Sequence, residues 1–285
     1  MVSEKLPSLE EVIKKHSLFT RKSLGQHFLL DEMILTKVVA SAGSLKGINV
    51  IEIGSGPGGL TRLLLASEAL SVTVVEKDER CVRIMEELSE FFVDGRLHII
   101  SEDALKVDLI DIVPAPRKIV ANLPYNVASQ LLIKWFDDIY RNGRDNSYES
   151  LTLMFQDEVA KRVVATPDDN EYGRLSVLTS FLCDSYYDFQ LRPEFFVPPP
   201  KVNSAVVTIL PKEKPVSTVT KNILEKILAT AFGKRRKMLR SSLKDLGINA
   251  AALLENSGID GTLRAENLTV EEFCRLAEVY ESIVT

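Results

Sequence analysis

The sequence predicts an α/β protein with a ligand site at the edge of an open sheet, followed by a small all-helical segment. Three observations carry that expectation. Short apolar, β-branched runs at residues 49–53, 72–75, 97–100 and 118–120 alternate with stretches of helical periodicity. The first of these runs enters a glycine-rich turn, Gly54-Ser55-Gly56-Pro57-Gly58-Gly59, that opens a helix through Leu60, Leu63 and Leu64. Beyond Pro211-Lys212-Glu213-Lys214-Pro215-Val216-Ser217, the clearest linker, all periodicity is helical.

In chain order, Leu6, Leu9, Val12 and Ile13 fall at helical spacing. Residues 21–30 mix polar and large apolar side chains around Gly25 and form an ordered loop. His27 in that loop suits a satisfied structural residue as well as a ligand contact. Asp31 is placed to cap the following helix, and Asp78 the helix through Val82, Ile84, Met85 and Leu88. The glycine turn needs positive φ and lets a ligand approach the backbone. Glu76 ends the next strand, where a carboxylate accepts both hydroxyls of a ribose. A nicotinamide dinucleotide fits these residues too. Glu52, inside the strand end before Gly54, opposes a pyrophosphate and favours a cationic ligand head such as that of S-adenosylmethionine. Asp103, after strand 97–100, either accepts from an adenine amine or caps a turn, and His98 in that strand is structural.

Val120-Ala121-Asn122-Leu123-Pro124-Tyr125-Asn126 closes the fourth run. Pro124 forces Leu123 into an extended conformation and fixes its own φ. One short loop therefore presents an amide oxygen, rigid carbonyls and a flat ring, a set suited to a planar base with an exocyclic amine. It also suits a plain capped turn. Helix 128–136 carries Trp135 as a core residue, and 141–150 is a polar loop. A strand at 151–155, helices at 157–164 and 175–183, and an antiparallel strand pair at 185–190 and 202–210 follow. Between that pair, Pro198-Pro199-Pro200 makes a stiff rim that presents Phe196 as a second wall opposite Tyr125, or buries it in the core. Helices are expected at 223–231, 238–246, 250–256 and 270–283, the last with a capping box from Thr269 and Glu272. Lys234, Arg235, Arg236, Lys237 and Arg240 concentrate positive charge, either as a solvated helix face or as a phosphate-backbone contact.

The totals exclude other classes. A chain of 285 residues with 45% hydrophobic and 26% charged residues is an ordinary globular chain. No apolar run approaches the ~18–20 residues that cross a bilayer. The first twenty residues lack an apolar core and carry Glu4, Glu10 and Glu11, against a targeting peptide. The three cysteines are far apart, which disfavours a disulfide framework or a metal site. A cytoplasmic protein is expected. The net charge of −5 makes any nucleic-acid contact a matter of local distribution.

Together the motifs resemble the ribosomal RNA adenine N6,N6-dimethyltransferases. The matching residues are Lys22-Ser23-Leu24-Gly25-Gln26-His27-Phe28-Leu29, Glu52-Ile53-Gly54-Ser55-Gly56-Pro57-Gly58, Val75-Glu76, Asp103-Ala104 and Asn122-Leu123-Pro124-Tyr125-Asn126. Further along come Tyr172-Gly173-Arg174-Leu175-Ser176, Pro198-Pro199-Pro200-Lys201-Val202-Asn203-Ser204-Ala205-Val206, Phe232-Gly233-Lys234-Arg235-Arg236-Lys237 and Arg264-Ala265-Glu266-Asn267-Leu268. The resemblance implies a Rossmann-like class I methyltransferase domain with a mainly parallel seven-stranded sheet over residues 1–212. A helical, RNA- or ribosome-binding domain over 213–285 completes it. S-adenosylmethionine would be bound by Gln26, His27, Leu29, Gly54, Gly56, Glu76, Asp103, Ala104 and Asn122. Asn122 and Leu123 would hold the target amine, and Tyr125 with Phe196 would stack on the base. His27 departs from the Asn usual in the family. The implied partner is small-subunit ribosomal RNA in a pre-30S particle, met by a monomer away from membranes and without a metal. A macrolide-resistance-type large-subunit methyltransferase, a non-catalytic assembly factor and a dinucleotide oxidoreductase are the competing readings.

Overall fold

The computed structural model describes residues 6–18 and 26–284, so Lys22, Ser23, Leu24 and Gly25 of the first motif, and the loop expected there, lie outside the described residues. The elements run α1 (Leu9–Lys15), β1 (Phe28–Leu29), α2 (Glu32–Ser41), β2 (Asn49–Ile53), α3 (Gly59–Ala66), β3 (Ser71–Glu76), α4 (Glu79–Phe91) and β4 (Leu97–Ser101). Then come α5 (Leu109–Ile112), β5 (Arg117–Asn122), α6 (Ala128–Asn146), β6 (Ser150–Gln156), α7 (Asp157–Val164), α8 (Arg174–Leu182) and β7 (Cys183–Leu191). The last are β8 (Phe196–Val197), β9 (Ser204–Pro211), α9 (Lys221–Gly233), α10 (Leu239–Ser242), α11 (Ala250–Ser257) and α12 (Val270–Val284). Two compact units result. One comprises residues 1–160 with Tyr186–Pro211, the other Lys161–Ser185 with Lys212–Thr285. The helical unit thus includes residues 161–185, which the expected boundary at 212 places with the sheet.

In the first unit, seven strands among the described residues form one sheet in the order β4-β3-β2-β5-β6-β9-β7. The pairs from β4 through to β6 are parallel, and β9 inserts antiparallel beside β6. The sheet is Rossmann-like and mainly parallel, as expected. Its central strands are mostly apolar because both faces are covered: Val50, Ile51, Val72, Val74, Ile119 and Val120 are all buried. From β2 the chain winds first towards β3 and later returns to β5 on the other side. The crevice beyond the carboxyl ends of β2 and β5 is therefore a topological switch point, where open sheets bind ligands.

The caps read from the sequence form. Asp31 accepts from the Ile34 N–H at 3.0 Å, Asp78 from the Arg80 N–H at 3.2 Å, and Thr269 and Glu272 bond reciprocally. Trp135 is fully buried. Other expectations are corrected. The polar stretch 141–150 is largely helix, because α6 continues its buried stripe as far as Ile139 and stops being regular only at Gly143, whose φ is 70°. Helix 238–246 splits into α10 and a 3-10 turn over Leu243–Leu246. His98 is exposed on β4. Phe28–Leu29 and Phe196–Val197 pair antiparallel, with Phe28 opposite Val197 and Leu29 opposite Phe196. That pairing joins the arm before α2 to the proline rim, a contact across ~170 residues that local pattern cannot signal. No helix among the described residues is long and apolar enough to cross a membrane.

In the second unit, Leu224, Ile227 and Leu228 of α9 and Phe273, Leu276 and Ala277 of α12 are fully buried. Tyr172, Phe232 and Phe273 meet edge-on and tilted, with centroids 6.1 and 5.5 Å apart, and the Tyr172 hydroxyl donates to the Leu268 carbonyl at 2.8 Å.

Candidate active site

One cavity at the switch point gathers residues from five stretches of the first unit. Gln26, His27, Leu29, Gly54, Gly56, Glu76, Asp103, Ala104, Asn122, Leu123 and Tyr125 all line it. Every residue anticipated for cofactor and base is there except Phe196. That ring is only 1% exposed and belongs to the hydrophobic core behind β1 and β8, so the slot expected between Tyr125 and Phe196 is corrected. The ring that faces Tyr125 is His27, with centroids 5.4 Å apart and planes 25° from parallel.

Parallel pairing of β2 with β5 brings the glycine turn and the Asn122 loop side by side. Gly54 has φ +75°, and a Cβ there would stand 3.6 Å from the Pro124 ring. Gly56 has φ +54°, and its Cβ would meet the Phe28 ring at 2.9 Å. Both the left-handed backbone and the missing side chain are therefore required at Gly56. Gly56→Ala is expected to cost about 1–2 kcal/mol, a fall in Tm of a few degrees, and to weaken cofactor binding as Phe28 shifts. Paired thermal melts with and without the cofactor measure both.

Two buried carboxyls flank the turn. Glu76 Oε1 accepts from the Lys77 and Asp78 N–H groups at 2.9 Å each. Its Oε2 has only long contacts, to the Gly56 N–H at 3.3 Å and the Ser55 hydroxyl at 3.5 Å. Burial raises its pKa. Glu52, 1% exposed, accepts a 2.6 Å bond from the Thr61 hydroxyl. Burial pushes its pKa up to about 8, against the Thr61 bond and with a smaller contribution from Glu76. Neither has an ion-pair partner among the described residues. An under-supplied carboxylate oxygen suits ribose hydroxyls, and a buried acid with no cation beside it suits a cationic head. The donor set fits S-adenosylmethionine.

Asp103 lies at the carboxyl end of β4. The Leu105 N–H, and then the Lys77 ammonium at 3.4 Å, hold its carboxyl below the usual range. Lys77, Glu102 and Phe28 also line the cavity and were missed. Lys77 and Glu102 neighbour residues already singled out, and Phe28 stands inside the first motif, but only the fold turns them inward. Gln26 is tied to Asp78 at 3.0 Å. Asn122 Nδ2 donates to the main-chain carbonyl of His27 at 3.1 Å. The departure at position 27 leaves that contact intact, since it uses no side-chain atom of His27. The Tyr125 hydroxyl bonds Ser204.

In the second unit, Lys234, Arg235, Arg236 and Lys237 occupy the turn after α9, which ends at Gly233, while Arg240 stands in α10. Lys234 pairs with Asp245 at 2.7 Å and Arg235 with Glu266 at 3.1 Å. Arg236, Lys237 and Arg240 are exposed without a salt bridge to an acid among the described residues.

A switch-point cavity, a left-handed glycine turn and two buried carboxyls on this strand order define a class I S-adenosylmethionine-dependent methyltransferase. The family model for ribosomal RNA adenine dimethylase matches residues 18–282. The chain is 51% identical over 280 residues to Ribosomal RNA small subunit methyltransferase A of Brucella anthropi, covering 98% of each. It is 50% identical over 273 residues to the protein of that name from Rhizobium etli, covering 95% of this chain and 97% of the other. A solved dimethyladenosine transferase from Plasmodium falciparum superposes with a TM-score of 0.77 at 26% identity, over 90% of this chain and 98% of that one. The 23S rRNA methyltransferase ErmE shares the fold, with a TM-score of 0.64 at 23% identity over 89% and 99%. The chain belongs to the ribosomal RNA adenine dimethylase family, and is an enzyme whose methyl donor is S-adenosylmethionine.

Proposed function

We propose that this enzyme, which dimethylates adenine in small-subunit ribosomal RNA, modifies N6 of two adjacent adenosines near the 3′ end as a step in small-subunit biogenesis. The orientation of Asn122 carries the reading of the site. With Nδ2 spent on the His27 carbonyl, Oδ1 is the atom left to accept from a substrate amine. Bound S-adenosylmethionine supplies an electrophilic methyl group on a sulfonium. The adenine amine is a weak nucleophile because its lone pair is delocalised into the ring. Asn122 Oδ1 and the Leu123 carbonyl accept its two N–H bonds and orient it beside the glycine turn. The same oxygens stabilise positive charge as it develops on nitrogen. Tyr125 stacks on the extruded base, and Glu76 and Asp103 hold the nucleoside of the cofactor. No strong base is needed, because the methylated ammonium loses its proton readily. Mass spectrometry of small-subunit ribosomal RNA after incubation of isolated particles with protein and methyl donor tests this. Two doubly methylated neighbouring adenosines are expected. Modification confined to large-subunit RNA would refute it.

The helical unit holds the particle through the turn after α9 and the start of α10, and the protein works as a cytoplasmic monomer on a pre-30S particle. Lys234 and Arg235 are partly neutralised by Asp245 and Glu266, and Arg240 lies near the Asp260 carboxylate, so Arg236 and Lys237 carry most of the phosphate contact. That local surplus lets a chain of net charge −5 bind RNA. Replacing Arg236 and Lys237 by Gln is expected to weaken particle binding and reduce the slope of log K against log salt by roughly 1–2. An unchanged slope in a filter-binding titration would make this turn a solvated loop.

A further inference from the structure

We propose that Ser204 is a positioning residue for methyl transfer, its hydroxyl fixing the Tyr125 ring in the cavity wall, an inference that rests on Tyr125 meeting the target base. The two hydroxyls bond each other, and among the described residues neither has another hydrogen-bond partner. Ser204 is fully buried and stands on a rigid support. It opens β9 opposite Gln156 of β6, and the Asp157 N–H donates to the carbonyl of the preceding Asn203 at 2.9 Å. Its Oγ therefore cannot follow a moving partner. The main chain of Tyr125 is held as well: Pro124 has a fixed φ, and its carbonyl accepts from the Val127 and Ala128 N–H groups at 3.1 Å each. What remains free is the side chain, two torsions leading to a half-buried ring. Any tilt of that ring moves its hydroxyl furthest, so a bond at that end holds the ring most effectively. Tyr125 follows Asn122 and Leu123 on one short loop, and a base lying against its ring takes its angle from the ring. The amine reaches Asn122 Oδ1 and the Leu123 carbonyl in line for transfer only when that angle is right, and rate falls steeply with small misplacements. Ser204 thus acts on the rate through another residue, while the grip on the particle comes from phosphate contacts elsewhere.

A double-mutant cycle in the full chain tests this, with Ser204→Ala, Tyr125→Phe and the two together, and Tyr125→Ala to report on the ring itself. Steady-state methylation of isolated small-subunit particles, well below the Tm of every variant, gives kcat and KM, and calorimetry gives cofactor Kd. Ser204→Ala and Tyr125→Phe are each expected to lower kcat about three- to tenfold, the worth of one hydrogen bond, with KM and cofactor Kd within about twofold of wild type. The double variant should be no slower than either single one, because both remove the same bond. Tyr125→Ala, which loses the ring too, should fall by roughly a further tenfold or more. Single variants at the wild-type rate, losses that multiply in the double variant, or cofactor Kd rising in step with lost activity would each overturn the role of Ser204. Tyr125→Ala at the wild-type rate, or a wild-type protein that leaves the particles unmethylated, would instead refute the underlying reading of the site and this inference with it.

Discussion

Asn122→Ala is expected to lose methyl transfer by about two to three orders of magnitude while binding S-adenosylmethionine within a few-fold of wild type. The side chain is half-buried at the end of β5 and makes one structural bond, to the His27 carbonyl at 3.1 Å. Its removal opens no large cavity, so the sheet should survive and the loss should fall on chemistry. In the proposed reaction the amide oxygen acts where charge appears on the amine, an interaction stronger in the transition state than in the ground state. Truncation should therefore lower kcat more than it raises KM. Transfer of tritiated methyl groups to small-subunit particles, with calorimetric titration of the cofactor, separates the two effects. Turnover at the wild-type rate would remove the loop from the reaction centre.

Glu52→Gln should change how stability depends on pH. In the ligand-free protein the Glu52 carboxyl titrates near 8, far above the 4.5 of an ordinary glutamate, chiefly because it is buried. Between those values the unfolded chain has released a proton that the folded chain retains. Stability conferred by Glu52 is therefore full below about pH 4.5 and declines as pH rises towards 8, by of the order of 1 kcal/mol per unit. Gln cannot titrate, so the substitution should flatten this part of the profile. A bound cation beside Glu52 favours its ionised form, so saturating cofactor should also flatten it, and cofactor affinity should rise with pH over the same interval. Thermal melts from pH 5 to 9, with and without cofactor, measure all three. Identical profiles for wild type and Glu52→Gln would show that the acid is already ionised when the site is empty.

Much of the site was legible because its parts are local. A glycine turn between a strand and a helix, a carboxylate ending the next strand, and an Asn, a Pro and a Tyr at a strand end each announce themselves within a few residues. The positive φ of Gly54 and Gly56 and the caps at Asp31, Asp78 and Thr269 are likewise dictated by neighbouring backbone. Local chemistry could not say that β1 would pair with β8, because nothing near Phe28 encodes a partner so far away in the chain. That one pairing buries Phe196 and brings His27 onto Tyr125. Nor could composition tell that Asp245 and Glu266 would reach Lys234 and Arg235, leaving their neighbours to face solvent. The order of residues alone determined the sheet, its ligand turn and the amide proposed to meet the substrate. Tertiary packing decided which ring covers Tyr125 and which cations stay unpaired, since both depend on contacts between distant segments that only a folded chain makes.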